Sequence, residues 1–367
     1  MKLAVVAGEA SGDLHAADVL KELKRLDPSL TAFGIGGDSM IRQGFEALHH
    51  AREMGIVGLF NVIRHLPMFR RVFAELIARI ATERPDAVLL VDYPDFNMRV
   101  ARKVKALGIP VIYYISPQIW AWRRRRVKEI ARNVDEMVVI LPFEEEFYRQ
   151  HGVRVTYVGH PLIEQLSALR RGTRDAALLR IALLPGSRRM EVNALLPPML
   201  DAVRILRGER AVDAYIMQAP TIDREHLQRI VEGTGVEIPI RPHDGGEGLT
   251  AADIALSSSG TATLEAAIVG TPVVVMYRLS RLTHLAARWL VHLPYFSLVN
   301  IIAGHRVVPE LLQDDVTGPR IAAEVRRILE PAEYARITEE LRGIRTKLGE
   351  PGASVRAAQA IMNRVKP

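Results

Sequence analysis

SSSGTATLEAAIVGTPVVV, residues Ser257–Val275, contains the clearest indication of the fold in this chain. Small hydroxylated residues and a glycine indicate a turn, a helix of small apolar residues follows, and the stretch ends in a run of valines. Apolar runs without alternation are typical of strands in a parallel sheet that is covered on both faces. Glu265 lies about one turn into this otherwise apolar helix, which makes it a candidate ligand-binding residue.

The same order of strand, turn and helix repeats on both sides of this stretch. Apolar runs precede the charged segment Arg170–Arg180, which we interpret as the linker, and further runs follow it. The pattern predicts an α/β protein of two Rossmann-like, doubly wound parallel-sheet domains that face each other across a cleft. We expect an N-terminal domain over residues 1–168, a C-terminal domain over 169–345, and a terminal segment over 346–367 with a helix from about Ala353 to Val365.

Composition narrows the class of protein. The 367 residues are 49% hydrophobic and 25% charged, which is typical of a globular chain with room for two cores. The chain has no cysteine, which excludes disulfides and thiolate metal sites. No stretch offers the ~20 apolar residues that cross a bilayer, and the first residues lack the pattern of a cleavable signal. The net charge of +7 indicates an anionic partner, either nucleic acid or an acidic membrane surface.

Two loops of the first half carry candidate residues, because ligands of open α/β sheets bind at the carboxyl ends of strands. In GEASGD (8–13), Ser11 and Asp13 are either cleft residues or ordinary N-caps. In VDYPDFN (91–97), Asp92 ends the strand and is the better candidate for a general base, since a desolvated carboxylate gains a raised pKa. Asp95 either lines the cleft or caps the next helix.

The segment YYISPQIWAWRRRR (113–126) joins tryptophans to four arginines. It is either a solvated face or a site for phosphate or lipid head groups, and Gln118 joins the acceptor or cleft candidates. A groove that binds single-stranded nucleic acid also combines basic and aromatic residues, so the segment could serve that function instead. The sequence shows no recognition helix, zinc spacing or aromatic sheet motif, so we predict no nucleic-acid partner.

LLPGSRRMEV (183–192) follows the first strand of the second half. Gly186 and Ser187 form a tight turn that delivers Arg188, whose forked guanidinium suits phosphate oxygens.

The opening stretch adds a second part of a nucleotide site. Ser259, Gly260 and Thr261 lie at a helix N-terminus, where a phosphate is electrostatically favoured. Glu265 can accept the hydroxyls of a ribose, or it is a capping-region glutamate that the helix dipole stabilises. Together the candidates describe a site for a nucleoside diphosphate.

Several motifs of the chain occur in the order found in one family: GEASGD, VDYPDFN, SPQIWAW, LPFE (141–144), VGHP (158–161), LLPGSR, SSGTATLE, SLVNIIAG and VPELLQ (297–313). The chain resembles the lipid A disaccharide synthases, membrane-associated glycosyltransferases. The resemblance implies a GT-B fold and inverting transfer of 2,3-diacylglucosamine from UDP-2,3-diacylglucosamine to 2,3-diacylglucosamine 1-phosphate. The products are the β(1→6) disaccharide 1-phosphate and UDP, and neither a cofactor nor a metal is implied.

Roles carried over from the family fall on matching positions. Asp92 becomes the base for the acceptor 6-hydroxyl, Arg188 holds the donor diphosphate, and Glu265 holds the ribose. Two later polar positions match the donor site: Asn300 and Gln313. One departure is Val299, where the family has proline.

A transferase of two acylated sugars has to meet them at a membrane. The segment 54–71, MGIVGLFNVIRHLPMFRR, mixes apolar and basic residues and is either interfacial or a core helix of the first domain. The residues expected to contact acyl chains or an anionic membrane surface are Ile56, Leu59, Phe60, Ile63, Phe69, Arg70 and Arg71. The resemblance also implies that the terminal helix packs back on the first domain or is exchanged in a homodimer.

Two other classes of protein fit part of the pattern. One is another GT-B nucleotide-sugar enzyme, such as a UDP-N-acetylglucosamine 2-epimerase or a peptidoglycan precursor transferase. The other is a non-catalytic nucleotide-sugar-binding protein. We favour the transferase, peripherally associated with the inner membrane on its cytoplasmic side, because SPQIWAW and the apolar-basic segment fit neither alternative.

Overall fold

The computed structural model describes residues 1–54, 66–122, 124–175, 177–278 and 294–365. It divides into two compact units, Met1–Pro161 with Glu350–Pro367 and Leu162–Gly349. Both are built on one parallel sheet with helices on its faces.

Unit 1 contains a seven-stranded sheet in the order β3-β2-β1-β4-β5-β6-β7, and all of its pairs are parallel. Its strands are β1 (Lys2–Ala7), β2 (Thr31–Gly36), β3 (Glu46–His50), β4 (Ala87–Val91), β5 (Val111–Tyr114), β6 (Glu136–Val139) and β7 (Val155–Tyr157). Its helices are α1 (Ala10–Leu26), α2 (Asp38–Arg42), α3 (Ala51–Met54), α4 (Leu66–Glu83), α5 (Pro94–Ala106), α6 (Ile119–Trp122), α7 (Val127–Asn133) and α8 (Pro142–Gln150). The central strand β4 is buried along its whole length, which explains its unbroken apolar sequence AVLLV.

Unit 2 contains a six-stranded parallel sheet in the order β10-β9-β8-β11-β12-β13. Its strands are β8 (Leu179–Leu184), β9 (Val212–Gln218), β10 (Ile240–Pro242), β11 (Ile254–Ser258), β12 (Val273–Tyr277) and β13 (Glu310–Leu312). The helices that follow β7 in the chain are α9 (Pro161–Leu166), α10 (Arg189–Arg207), α11 (Arg224–Thr234), α12 (Glu247–Ala251), α13 (Thr261–Val269), α14 (Leu298–Ala303), α15 (Gly318–Leu329), α16 (Pro331–Lys347) and α17 (Ala353–Val365).

In each sheet the strand order reverses at one point, and this places the candidate loops. The chain runs outward from β1 on one side and from β4 on the other, so the loops after these two neighbouring strands leave in opposite directions. Loops after β8 and β11 do the same in unit 2. Such switch points are where doubly wound sheets bind ligands. The prediction of two Rossmann-like parallel-sheet domains is confirmed.

The predicted linker belongs to unit 2. The guanidinium of Arg171 donates to the carbonyls of Ala252, Asp253 and Gly270 at 3.0–3.1 Å. These bonds hold the charged segment against the loops that precede β11 and β12. Residues of α9 also pack on unit 2, where the Leu166 side chain lies against Gly246. The boundary between the units falls after Pro161.

The terminal helix α17 packs on α1 and completes unit 1. Arg356 Nε donates to the carbonyl of Val158 at 2.8 Å, and Arg364 pairs with Asp135 at 3.3 Å. These contacts fix the helix by charge and hydrogen bonds as well as by its buried apolar face.

The apolar-basic segment is described only from Leu66 onward, so the predicted membrane residues Ile56, Leu59, Phe60 and Ile63 lie outside the described residues. Phe69 is half-buried and packs against the core of unit 1, whereas Arg70 and Arg71 are exposed. Within the described ranges, no helix combines the length and the hydropathy that crossing a bilayer requires.

Candidate active site

The turn after β4 holds Asp92 in a strained backbone conformation. Asp92 and Tyr93 have φ angles of 48° and 50°, the left-handed region that residues other than glycine seldom adopt. The Asp92 carbonyl accepts hydrogen bonds from the Tyr113 hydroxyl (2.6 Å) and from Asn97 Nδ2 (2.7 Å). Such strain costs of order 1–3 kcal/mol per residue and concentrates at functional sites. The turn is therefore built to present the Asp92 side chain.

The surroundings of Asp92 suit a proton acceptor. Burial raises the pKa of its carboxyl to about 6, the negative charge of Glu9 acts in the same direction, and a hydrogen bond from the Tyr93 backbone opposes them. A base with a pKa near 6 is ionised at neutral pH and still binds protons well enough to take one from a hydroxyl.

The two loops at the switch point of unit 1 touch each other. A Cβ on Gly8 would lie 2.5 Å from the Tyr93 ring, so only glycine allows this contact. Tyr93 also donates through its hydroxyl to the Met54 carbonyl at 3.0 Å. GEASGD and VDYPDFN thus form one surface, as their places after β1 and β4 predict.

Asp13 has a structural role within that surface. Its carboxylate, 6% exposed, accepts hydrogen bonds from the backbone N–H groups of Gly37 (2.6 Å), Ser39 (2.9 Å) and Met40 (3.2 Å). It therefore caps α2 and not its own helix. The N-cap interpretation of Ser11 and Asp13 is wrong for α1, which begins at Ala10 after Glu9 and leaves both residues in its first turn.

The other candidates of unit 1 are exposed. Ser11 and Gln118 are open to solvent, Gln118 in the loop after β5. Asp95 is also exposed and forms an ion pair with Arg126 at 2.6 Å. It occupies the second position of α5, whose N-cap is Tyr93, so the capping interpretation of Asp95 is wrong as well.

The motifs SPQIWAW and LPFE meet in a buried polar cluster. Glu144, 1% exposed, accepts from Trp120 Nε1 and from the Leu141 backbone, both at 3.1 Å. Ser116 and Tyr148 share a hydrogen bond of 2.7 Å beside it. Burial raises the pKa of Glu144 to about 7. The cluster fixes the loop after β5. This loop lies next to the Asp92 turn, since the backbone N–H of Asp92 donates to the carbonyl of Tyr114 at the end of β5.

In unit 2, the turn after β8 presents Arg188 to solvent. Its side chain is 71% exposed and pairs with Glu191 at 3.1 Å. Glu191 also accepts from the Ser187 backbone at 3.3 Å, and Gly186, with a φ of 121°, leaves the space that the Glu191 side chain occupies. An exposed pair of this kind is worth at most about 1 kcal/mol, so Arg188 can exchange Glu191 for a more highly charged partner.

The turn after β11 opens α13 with free backbone donors. Ser259 Oγ donates to the Phe296 carbonyl at 3.0 Å, which fixes the turn. Among the described residues, no heavy atom outside the adjoining backbone lies within 4 Å of the position of a Cβ on Gly260, and Thr261 is exposed. The first N–H groups of a helix lack helical acceptors, and the helix dipole favours an anion there.

Glu265 is held by a residue that the sequence analysis did not single out. His243 Nε2 lies 2.9 Å from Glu265 Oε2, and the Gly245 backbone N–H donates to His243 Nδ1 at 3.4 Å. That contact assigns the proton to Nε2, which donates to the carboxylate. The hydrogen bond with Glu265 raises the pKa of His243, and burial opposes the rise. His243 follows β10, three strands away from β11 in the sheet, so no local pattern could have linked it to Glu265.

Asn300, a predicted donor-site residue, forms structural hydrogen bonds. It is fully buried, donates to the Val308 carbonyl and to Glu310, and accepts from the backbones of Val307 and Val308 at 2.8–3.0 Å. Every polar atom of the side chain is used, so none remains for a ligand. Val299, where the resemblance predicted proline, is buried in α14.

Gln313 lies just past the end of β13, at the same sheet edge as Arg188 and Gly260. Its φ is 49°, and its carbonyl accepts from Arg278 Nε at 3.2 Å. Arg278 also donates to the Val316 carbonyl at 3.2 Å, which ties the strand end to the turn that follows.

Glu9, Glu191 and His243 are the site residues that sequence reasoning missed. Each acts on a predicted residue, Asp92, Arg188 or Glu265. Glu191 lies in the quoted motif LLPGSRRMEV, and its spacing of three residues from Arg188 is the only local signal that pointed to a pair. In the part of the chain that the structure describes, no three His, Asp or Glu side chains gather as a metal ion would require.

Comparison with known proteins decides the family. The family profile of lipid-A-disaccharide synthetase matches residues 3–363. The lipid-A-disaccharide synthase of Myxococcus xanthus is 45% identical over 377 residues, with 100% of this chain and 98% of the relative covered. The chain belongs to the lipid-A-disaccharide synthase family. It is therefore a glycosyltransferase of lipid A biosynthesis, and the family prediction is confirmed.

Solved structures show how widely the fold is shared. CalG4, the calicheamicin glycosyltransferase, has a TM-score of 0.61 at 16% identity, with 100% of this chain and 99% of that chain covered. The UDP-GlcNAc 2-epimerase of Neisseria meningitidis has a TM-score of 0.62 at 14% identity, with 99% and 100% covered. Identities this low support the GT-B fold alone. The epimerase, precursor transferase and non-catalytic alternatives give way to the family assignment, which rests on sequence over the whole chain.

Proposed function

We propose that this enzyme transfers 2,3-diacylglucosamine from UDP-2,3-diacylglucosamine to the 6-hydroxyl of 2,3-diacylglucosamine 1-phosphate. The products are the β(1→6)-linked disaccharide 1-phosphate and UDP. The observation that carries the proposal is the arrangement at the switch point of unit 2. There Arg188 and the Gly260 turn follow neighbouring strands, and Glu265 stands one turn into α13.

The donor half of the site holds the nucleotide. The diphosphate lies over the N-terminus of α13 at Ser259, Gly260 and Thr261, where backbone N–H groups and the dipole compensate its charge. The backbone of Gly186 and Ser187 borders the diphosphate, and Arg188 leaves Glu191 to stabilise the charge that develops on departing UDP. Glu265, oriented by His243, accepts the ribose hydroxyls through its other carboxylate oxygen. Gln313 borders this site.

The acceptor half depends on Asp92. The carboxylate takes the proton of the acceptor 6-hydroxyl while that oxygen attacks the anomeric carbon, and the bond to UDP breaks in the same displacement. One displacement inverts the anomeric centre. Ser11 and Gln118 border the acceptor, and the Glu144 cluster keeps the neighbouring loop in place.

Membrane association follows from the acylated substrates. The exposed Arg70 and Arg71 on α4, next to the segment 55–65, are suited to anionic head groups. We place the enzyme on the cytoplasmic side of the inner membrane, attached peripherally, and propose that it forms a homodimer.

A direct assay tests the reaction. Purified protein is mixed with both acylated substrates in the presence of EDTA, and disaccharide 1-phosphate and UDP are quantified. We expect equal amounts of the two products, because one transfer releases one UDP. Release of UDP without disaccharide, or dependence on an added metal, would contradict the proposal. Cosedimentation of the protein with anionic vesicles tests membrane attachment in the same preparation.

The pair of His243 and Glu265 predicts a graded loss of UDP affinity. Glu265→Gln should weaken UDP binding by about 10- to 100-fold, since hydrogen bonds to charged groups are worth about 1.5–3 kcal/mol. His243→Ala should weaken it by about 3- to 10-fold, the size of one ordinary hydrogen bond, while His243→Gln, which keeps a donor, should retain most of the affinity. Titration calorimetry measures all three.

The matched control is His305→Ala. His305 and Glu340 form a similar pair at 3.1 Å, and neither is among the donor-site residues. We expect unchanged UDP affinity in this variant. If His243→Ala also binds UDP like the unaltered protein, His243 does not orient Glu265.

A further inference from the structure

A cavity in unit 2 carries a concentration of arginines that the transfer reaction does not use. Its volume is about 190 Å3, and its charged lining consists of Arg306, Arg320, Arg327, Arg336 and Glu324. The formal charge of this lining is thus four positive against one negative. None of the donor-site candidates lines it.

Two carboxylates orient three of these arginines. Glu324, 6% exposed, accepts from Arg327 Nε at 2.9 Å and pairs with Arg320 at 3.4 Å. Glu333 accepts from Arg336 Nε at 2.8 Å and from Arg327 Nη1. Glu340 also acts on Arg336 electrostatically. Glu324, Glu333 and Glu340 together carry three negative charges against the four arginines, which leaves one positive charge in surplus.

The oriented arginines keep donors to spare. A guanidinium has five N–H groups, and Arg327 and Arg320 use only part of theirs in these pairs. Among the described residues, none accepts a hydrogen bond from the side chain of Arg306. Orienting an arginine in advance removes much of the rotamer entropy that binding would otherwise cost. The cavity is therefore prepared for an anion.

The apolar part of the cavity lining consists of Val307 and Val308, which precede the motif residues of β13. Val307 and Val308 are buried, and both donate through their backbone N–H groups to Asn300. Arg336 Nη2 donates to the Val307 carbonyl at 3.1 Å. Asn300, expected in the donor site, thus holds the backbone under this cavity.

We propose that this cavity binds a phosphate group. Guanidinium forks match phosphate oxygens bidentately, and the negative charge of a phosphate group is complementary to the positive charge of the lining. The volume is below the ~300 Å3 at which pockets begin to hold drug-sized ligands, so it suits phosphate, pyrophosphate or a lipid head group and not a whole nucleotide.

The test compares two double variants that remove the same charge. Arg306→Gln with Arg320→Gln alters the cavity and leaves the pairs of Arg327 and Arg336 in place. Arg204→Gln with Arg342→Gln removes two exposed arginines that pair with Asp201 and Glu339. Pyrophosphate is titrated by calorimetry into each protein in the presence of saturating UDP, which occupies the proposed donor site.

We expect the cavity variant to bind pyrophosphate at least about tenfold more weakly than the unaltered protein and the control variant to bind like it. A second arm measures binding to phosphatidylcholine vesicles with and without phosphatidic acid. A cavity-dependent loss in solution identifies a free phosphate compound as the ligand, and a loss confined to phosphatidic acid vesicles identifies a lipid head group. Equal binding by the two double variants in both arms, or no binding by the unaltered protein, overturns the proposal.

Discussion

Asp92→Asn should lower the rate of disaccharide formation by about 10²- to 10⁴-fold, the contribution of a positioned general base. Asparagine tolerates the left-handed backbone that Asp92 adopts, with its φ of 48°, so the turn is expected to keep its shape. UDP affinity should not change, because the proposed nucleotide contacts all lie in unit 2. Initial rates with both acylated substrates and calorimetry with UDP measure the two effects on one preparation.

The control for this variant is Asp95→Asn. Asp95 lies three residues further along the chain, in the first turn of α5, is exposed, and forms an ion pair that contributes at most about 1 kcal/mol. We expect its rate to stay within a few-fold of the unaltered enzyme. Equal losses in Asp92→Asn and Asp95→Asn would mean that the turn, and not a specific base, is responsible.

The pH profile separates a base from a positioning residue. Only the carboxylate form of Asp92 accepts a proton, so kcat/KM should fall tenfold per pH unit below about 6 and level off above it. Glu9→Gln removes a charge that raises the pKa of Asp92, and should move this limb to lower pH. A profile that keeps its limb at pH 6 in Asp92→Asn assigns the titration to another group.

Arg188→Ala should lower kcat by about 10²- to 10³-fold, the usual loss when a donor to developing negative charge is removed. The effect on stability should be small, because the side chain is 71% exposed and its pair with Glu191 is a surface pair. Arg188→Lys should recover only part of the rate, since an ammonium group cannot bind the diphosphate bidentately. Steady-state kinetics and thermal unfolding measure the two quantities.

Arg189→Ala is the matched control for Arg188→Ala. Arg189 is 61% exposed and pairs with Asp223, so Arg189→Ala removes the same type of side chain from the next position. Near-normal turnover is expected there. Should Arg188→Ala keep a kcat within a few-fold of the unaltered enzyme, UDP departure must be stabilised by other groups.

Local sequence determined the architecture and the location of the site. Continuous apolar runs marked central strands such as β4 and β11, because both faces of these strands are covered. The edge strands β3 and β10 could not be found this way. β3 carries the half-buried His49 and His50, and β10 includes Pro242, so their pairing comes from neighbouring strands and not from their own composition. The segments that follow strands still led to Asp92, Arg188 and Glu265. All strands of a parallel sheet point in the same direction, so their carboxyl ends lie on the same side of the sheet.

Only the tertiary structure decided what each polar side chain contacts. A motif places Asn300 near the donor site, yet the folded chain surrounds it with the backbone of residues 307 and 308 and uses all its hydrogen-bonding capacity. The sequence places Arg171 in a charged linker, whereas in the structure its guanidinium donates to three carbonyls of unit 2. His243 reaches Glu265 from a distant strand. The physical reason is common to all three: periodicity and turn residues act over a few positions, whereas the partner of a buried polar group is chosen by which segments the fold brings together.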